Sequence, residues 1–286
     1  MTRWLVTGAA GMLGRDLVDV LRHHGEVTAA TRGDLDITRQ REVAAAVAGH
    51  DIVVNAAAWT DVDGAEAAEE AATAVNGHAV AGLARACTAT GARLIQISTD
   101  YVFRGEATAP YAEDADPDPV NAYGRSKLVG EQAVRGLLPA AGYVVRTGWL
   151  YGAHGSNFVA TMLRLARERD TVDVVDDQLG QPTWTRALAA QVAALGGAVL
   201  TGAAAAGVYH GTAGGHTTWY RLARAVFAAA GHDPDRVHPT TSDRFPRPAA
   251  RPAYSVLGHG RWTAVGVPPQ PCWRDQLTSA IGNSAQ

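Results

Sequence analysis

Trp4-Leu5-Val6-Thr7-Gly8-Ala9-Ala10-Gly11-Met12-Leu13-Gly14 is the stretch on which the fold turns. Trp4 to Thr7 is a short apolar run of strand length, and Leu17, Val18 and Leu21 follow the third glycine at helical spacing. A strand therefore passes through a glycine turn into a helix. Glycine at positions 8 and 11 permits the turn and lets backbone approach a pyrophosphate, while Gly14 lets helix and sheet pack closely. The free N–H groups at the helix start, at Met12 and Leu13, then face the phosphates. The spacing is G-x-x-G-x-x-G, and a ligand-free strand-to-helix turn uses the same residues, so a second motif has to choose between the two.

Outward from this unit, strands alternate with helices. Val27-Thr28-Ala29-Ala30, Ile52-Val53-Val54, Leu94-Ile95-Gln96-Ile97 and Tyr143-Val144-Val145 read as buried parallel strands separated by alanine-rich helical stretches. The pattern predicts an α/β fold with a Rossmann-type doubly wound parallel sheet and right-handed crossovers. Ligands bind beyond the carboxyl ends of such strands, which is where the polar signals fall. Arg32 follows the second strand, where a guanidinium suits the 2′-phosphate of NADP, although a surface arginine needs no ligand. Asp36-Ile37 is placed to flank the adenine. Asn55 is followed by Ala56, Ala57 and Ala58, small residues of the kind a backbone passing close to a cofactor requires.

The second motif is Tyr123-Gly124-Arg125-Ser126-Lys127. Lys127 is the only lysine among twenty-five lysines and arginines. A lone lysine in an arginine-rich chain suggests a task for a compact, tunable cation that a planar guanidinium cannot perform. Tyrosine and lysine at i and i+4 share a helix face, and the ammonium is expected to draw the phenol pKa down toward working pH. With the glycine turn, this Tyr-x-x-x-Lys resembles the short-chain dehydrogenase/reductase superfamily, in its extended branch that handles nucleotide sugars. Thr99, in Ser98-Thr99-Asp100-Tyr101-Val102-Phe103, matches the superfamily's hydroxyl that helps the tyrosine bind the reacting oxygen; turn or cap chemistry is the plain alternative. Thr99, Tyr123 and Lys127 then form the expected catalytic set: Thr99 bonds a carbonyl oxygen, Tyr123 donates its proton, and Lys127 supports the tyrosine and the nicotinamide ribose.

Four further blocks narrow the likeness. Asn55 to Asp63, Ser98 to Phe103, Arg146-Thr147-Gly148-Trp149-Leu150-Tyr151 and Asp177-Gln178-Leu179-Gly180-Gln181-Pro182-Thr183 together resemble the dTDP-4-dehydrorhamnose reductase family, from the first strand to near the C-terminus. The resemblance implies reduction of the C4 ketone of dTDP-4-dehydro-L-rhamnose by NADPH, with NADH as the alternative cofactor. It implies a cofactor site of Gly8, Gly11, Met12, Leu13, Gly14, Arg32, Asp36, Ile37, Ala56, Ala57, Ala58, Tyr123 and Lys127. For the sugar nucleotide it implies Thr60, Val62, Thr99, Asp100, Tyr101, Tyr123, Trp149 and Arg251. Without the family, Trp149 would read as a core or edge aromatic. The Pro/Arg stretch from Arg244 to Pro252 reads as an extended loop around the diphosphate, or as a solvated basic loop.

Residues 1–150 are expected to form the NADP(H)-binding domain, with a segment at about 184–212 returning to it, and 151–286 mainly a smaller, interleaved nucleotide-sugar lobe. Asn157 precedes an amphipathic helix, and Thr217 or Thr218 is placed to cap another. A net charge of −3 gives no general attraction to nucleic acid or anionic membrane. No apolar stretch reaches the roughly 20 residues of a membrane-spanning helix, and a cytoplasmic location is expected. Cys87 and Cys272 form no C-x-x-C, and none of the ten histidines forms H-E-x-x-H, so no metal site is expected. Two departures stand out. Tyr254 and Gly258 replace an amide and an acid in the family's Arg-Pro-x-Asn-Ser-x-Leu-Asp, which suggests another dTDP-4-keto-deoxysugar, streptose-type sugars included, as the alternative substrate. Arg15 stands just after the third glycine, where some members carry an acidic magnesium ligand, and this speaks against a magnesium-bridged dimer. Monomer or homodimer stays open. A reading of another class is a catalytically silent nucleotide-binding regulatory subunit, like the related methionine adenosyltransferase partner.

Overall fold

The computed structural model describes residues 1–284. β1 (Thr2–Thr7) shows in miniature how the sheet is buried. Its side chains alternate between faces: Trp4 and Val6 enter one apolar core, and Leu5 enters the other. Both faces are covered, which is why the strand reads as a continuous apolar run. α1 (Met12–Leu21), β2 (Gly25–Ala30), α2 (Gln40–Val47) and β3 (Ile52–Asn55) complete the first windings. Then come α3 (Val62–Ala67), α4 (Glu69–Thr73), a π-helical turn (Ala74–His78), α5 (Ala79–Thr90) and β4 (Arg93–Thr99). A 3-10 turn (Asp100–Val102), α6 (Ala122–Leu137) and β5 (Gly142–Thr147) close the first half.

The second half begins with β6 (Leu150–Tyr151), α7 (Phe158–Glu168), β7 (Val172–Val175), β8 (Leu179–Gly180) and β9 (Thr183–Trp184). α8 (Thr185–Leu200) and β10 (Gly207–His210) follow, then β11 (Thr217–Thr218), α9 (Trp219–Ala229), β12 (Val237–Thr240), α10 (Gly260–Ala264) and α11 (Trp273–Ser284). β10 joins the main sheet, whose order is β10-β5-β4-β3-β1-β2, with every pairing parallel. The chain runs from β1 outward to β2, then crosses back to β3 on the other side. That reversal opens a crevice between the carboxyl ends of β1 and β3, where ligands of doubly wound sheets bind.

The strand read at Val27 to Ala30 is present but mostly not buried, because β2 is the sheet edge and pairs only with β1. One core lies between the sheet and α1 with α8, around Leu17, Leu21, Leu188 and Leu195; the other lies beneath α2, α5 and α6, around Val43, Leu83 and Val134. A third core, with Tyr151, Met162, Leu222, Phe227, Trp273 and Leu277, holds the second-half elements together. Asn157 caps α7 by accepting from the Ala160 N–H, and Thr218 caps α9 by accepting from the Arg221 N–H. Among the described residues, no helix is long and apolar enough to cross a membrane.

Candidate functional site

The crevice is built on the glycine turn. Gly8 has φ +69°, and a Cβ there would stand 2.6 Å from the Ala57 nitrogen. Only glycine lets the turn lie against the backbone that leaves β3. At Gly14 a Cβ would fall 2.1 Å from the Gly8 carbonyl oxygen, so α1 can start this close only without a side chain there. Gly11 is the N-cap and offers no side-chain acceptor to the first turn of α1. The N–H groups of Met12, Leu13 and Gly14 thus point from a helix N-terminus into the crevice, a ready site for a dinucleotide's phosphates. The residues present fit such a group.

Polar side chains lock the strand ends around this turn. The Thr7 hydroxyl donates to Asn55 Oδ1, Asn55 Nδ2 donates to Gln96 Oε1, and Asn55 Oδ1 also accepts from the Ala57 N–H. This line crosses β1, β3 and β4 at one register level, since Thr7 pairs with Asn55 and Asn55 with Gln96. Ala56, Ala57 and Ala58 follow, half-buried, along the wall. Arg32 is exposed just beyond β2, Ile37 is buried, and the Asp36 carboxyl is held below its usual range chiefly by the Thr38 hydroxyl. All three lie beyond the end of β2, whose last carbonyl, at Ala30, accepts from the Ala9 N–H of the glycine turn.

Sequence reading missed the clamp on the far wall. In the π-helical turn after α4, buried Asn76 accepts from the Trp59 N–H at 2.9 Å and donates to both the Trp59 carbonyl and the Ser126 hydroxyl. One amide thereby ties the Ala56 to Trp59 passage to α6, one residue before Lys127. A π turn inserts one extra residue into a helix and re-aims its neighbours; no residue pattern in Ala74 to His78 announces it.

α6 starts at an Asn121 cap whose Oδ1 accepts from the Gly124 N–H, while its Nδ2 holds the Ala250 carbonyl. Tyr123 is thus presented from the first turn toward the end of β4. Its hydroxyl is hydrogen-bonded to Thr99, and its ring meets Tyr101 edge-on at 6.1 Å. Lys127 is 4% exposed and donates at 2.6 Å to the Ile97 carbonyl. The structure therefore brings Thr99, Tyr123 and Lys127 to one place. The expected effect of Lys127 on the phenol is not seen: burial, then the Asp100 charge, pushes the Tyr123 pKa up to about 12, opposed by the Thr99 hydrogen bond. Burial draws Lys127 down to about 8, with the Glu131 charge opposing. The ammonium sits on a carbonyl, and the phenol it was expected to acidify stays protonated.

Asp100 is buried, bonded to Thr99 and Ser255, and burial raises its carboxyl to about 6. Arg251 bonds Asp63 through Nη1 at 2.7 Å and Nη2 at 3.0 Å, and it also bonds Tyr101. Asp63 and Ser255 were not foreseen as site residues; their partners lie 188 and 155 positions away in the sequence. Thr60 is exposed, and Val62 begins α3 after Asp61, whose carboxylate accepts from the Gly64 N–H. Trp149 carries φ +50°, among the described residues the one non-glycine in the left-handed region, and its indole lies parallel on Trp219 at 3.5 Å. Strain of this kind clusters at functional sites. Tyr254 lies to one side, 6.2 Å from Tyr111, and Gly258 bonds Tyr111 and His210 through its backbone. Arg15 turns back onto the Ala10 carbonyl.

The chain is similar to known proteins over nearly its whole length. A family described as "RmlD substrate binding domain" matches residues 2–285. A Streptomyces griseus protein named dTDP-4-dehydrorhamnose reductase is 56% identical over 98% of this chain and 93% of its own length. A Streptomyces niveus protein named dTDP-4-keto-6-deoxy-D-glucose reductase is 54% identical over 98% of this chain and 96% of its own. The crystal structure of dTDP-4-dehydrorhamnose reductase from Bacillus anthracis in complex with NADP is 36% identical, superposes with a TM-score of 0.93, and shares 99% of this chain and 100% of its own.

Proposed function

We propose that this chain, which belongs to the RmlD substrate binding domain family of dTDP-4-dehydrorhamnose reductases and is an NADPH-dependent oxidoreductase, reduces the C4 ketone of dTDP-4-dehydro-L-rhamnose to dTDP-L-rhamnose. The observation that carries the reading is the meeting of Thr99 and Tyr123 at the end of β4, with Lys127 one helical turn behind.

When bound, NADPH supplies the hydride that forms the new C–H bond at C4. The chain's own residues supply the rest. The first turn of α1 holds the pyrophosphate, and Arg32 takes the 2′-phosphate. Thr99 donates to the ketone oxygen and fixes it beside the Tyr123 hydroxyl. Tyr123 gives up its proton as the carbonyl π bond opens, so the oxygen leaves as a neutral alcohol. A phenol held protonated well above neutral pH is in the form that donates. The Lys127 ammonium lies behind it and stabilises the tyrosinate left after transfer. Thr60, Val62, Asp100, Tyr101, Trp149 and Arg251 line the sugar-nucleotide side.

A second reading keeps the chemistry and changes the sugar to another dTDP-4-keto-6-deoxyhexose. It is favoured by the Streptomyces niveus relative's name and by Tyr254 and Gly258 in the loop that follows Arg251. Loss of NADPH absorbance with dTDP-4-dehydro-L-rhamnose generated in situ, followed by NMR of the product sugar, separates the two. dTDP-L-rhamnose supports the first reading. No consumption, with NADPH binding intact, overturns it.

A further inference from the structure

Glu131 lies one turn beyond Lys127 on α6, 1% exposed, at a depth where a carboxylate needs partners. Its Oε1 accepts from the Ser98 hydroxyl at 2.5 Å and from Arg146 Nε at 3.0 Å, and its Oε2 accepts from Arg146 Nη2 at 2.7 Å. Arg146, on β5 and equally buried, rests its guanidinium 4.9 Å above the Phe103 ring. Arg146 Nη1 is buried without a hydrogen-bond partner, so this pair is not tuned for stability alone. Two adjacent residues of β4 are gripped from α6 by opposite charges: the Ile97 carbonyl by Lys127 and the Ser98 hydroxyl by Glu131. Thr99 is the next residue along.

We propose that Glu131 is a positioning residue for the reduction, whose carboxylate keeps the buried Lys127 amine charged and, through Ser98, sets the strand end that carries Thr99. The proposal rests on the reading of Lys127 as the cation behind Tyr123. Tyr123 stands one turn before Lys127 on α6 and Glu131 one turn after it; beyond these, Asp100 acts on the Tyr123 phenol, Arg146 on β5 is paired with Glu131, and His210 on β10 lies in the field of Arg146. Of these, Glu131 opposes the loss of the Lys127 proton that burial favours. Neutralising it removes the one charge that opposes burial, so the Lys127 proton is held less tightly.

The chain contains one lysine, so lysine labelled with ¹³C at Cε gives a single side-chain amine resonance that needs no assignment. In the NADP⁺ complex, its titration midpoint is followed in wild type, Glu131→Gln and Glu131→Asp, beside the pH profile of kcat. Glu131→Gln is expected to lower the midpoint by about one unit or more, with the basic limb of kcat moving the same way, and Glu131→Asp to restore most of both. An unmoved midpoint, with kcat depressed equally at every pH, makes Glu131 merely structural and overturns the proposal. If Glu131→Gln does not fold, Glu131→Gln/Arg146→Met removes both buried charges; the midpoint is still expected to fall, and a wild-type value overturns the proposal. A wild-type kcat profile without a basic limb at the Lys127 midpoint would instead refute the catalytic reading of Lys127, whatever the coupling to Glu131.

Discussion

Tyr123 acts as an acid only if its phenol is both protonated and aimed, and different neighbours meet the two conditions. Burial and Asp100 keep it protonated; Thr99 aims it. Tyr123→Phe keeps the ring and its edge contact with Tyr101 but removes the proton. NADPH affinity, measured by fluorescence titration, is expected to stay within about twofold, while kcat drops by about 100-fold or more. Wild-type turnover in that variant would remove Tyr123 from the mechanism. Gly8→Ala tests the other end of the site. Its Cβ meets the Ala57 nitrogen at 2.6 Å on a backbone at φ +69°, so both the turn and the passage after β3 must shift. Calorimetry is expected to show NADPH binding at least about tenfold weaker, with the left-handed conformation itself costing about 1–2 kcal/mol of stability. The glycine turn and the tyrosine–lysine pair were readable because their chemistry depends on local spacing. The upward shift of the tyrosine was not, because it arises from burial and from a carboxylate on another element.

Among the elements, the π-helical turn between α4 and α5 has the most to do for its length. It exists to present Asn76, and Asn76→Ala breaks three hydrogen bonds, two of them to the backbone of Trp59. Leaving those partly buried backbone groups and the buried Ser126 hydroxyl without this partner is expected to cost about 1–3 kcal/mol in urea denaturation and to raise KM, since the passage from Ala56 to Thr60 loses its anchor to α6. Stability and KM both at wild-type values would show that the clamp is idle. The strands at Trp4, Ile52, Leu94 and Tyr143 could be read in advance because sheet interiors covered on both faces need unbroken apolar runs. Edge strand β2 kept enough of that pattern to be found and not enough to reveal its exposure. The two-residue strands β6, β8, β9 and β11 carry no periodicity at all. They form where distant segments meet, as does the Asp63–Arg251 pair, and such meetings follow from the completed packing.

At the scale of the whole molecule, β10 ties the second half of the chain to the main sheet, and it ends in a buried charge-sensitive residue. His210 donates through Nδ1 to the Gly258 carbonyl, while Nε2 is buried without a partner. Burial, reinforced by Arg146, lowers its pKa to about 3. The folded protein therefore holds a neutral imidazole, whereas the unfolded chain takes up a proton near pH 6.5. Stability from this residue is complete above that pH and is lost as pH falls from about 6.5 toward 3, with a slope of at most about 1.4 kcal/mol per pH unit. Urea denaturation across that window should show the slope, and His210→Asn, which retains a donor near Nδ1, should flatten it; an equal slope in both would assign the acid sensitivity elsewhere. The other long-range junction is aromatic. Trp149 follows β5 of the main sheet and Trp219 opens α9 of the second half, and their rings lie parallel, 3.5 Å apart. Indoles this close and this ordered share their electronic excitation, so the pair is a built-in optical gauge of how the two halves sit. Circular dichroism in the near-ultraviolet can then register arrival of the sugar nucleotide without any label, because a ligand that displaces Trp149 must uncouple the two chromophores.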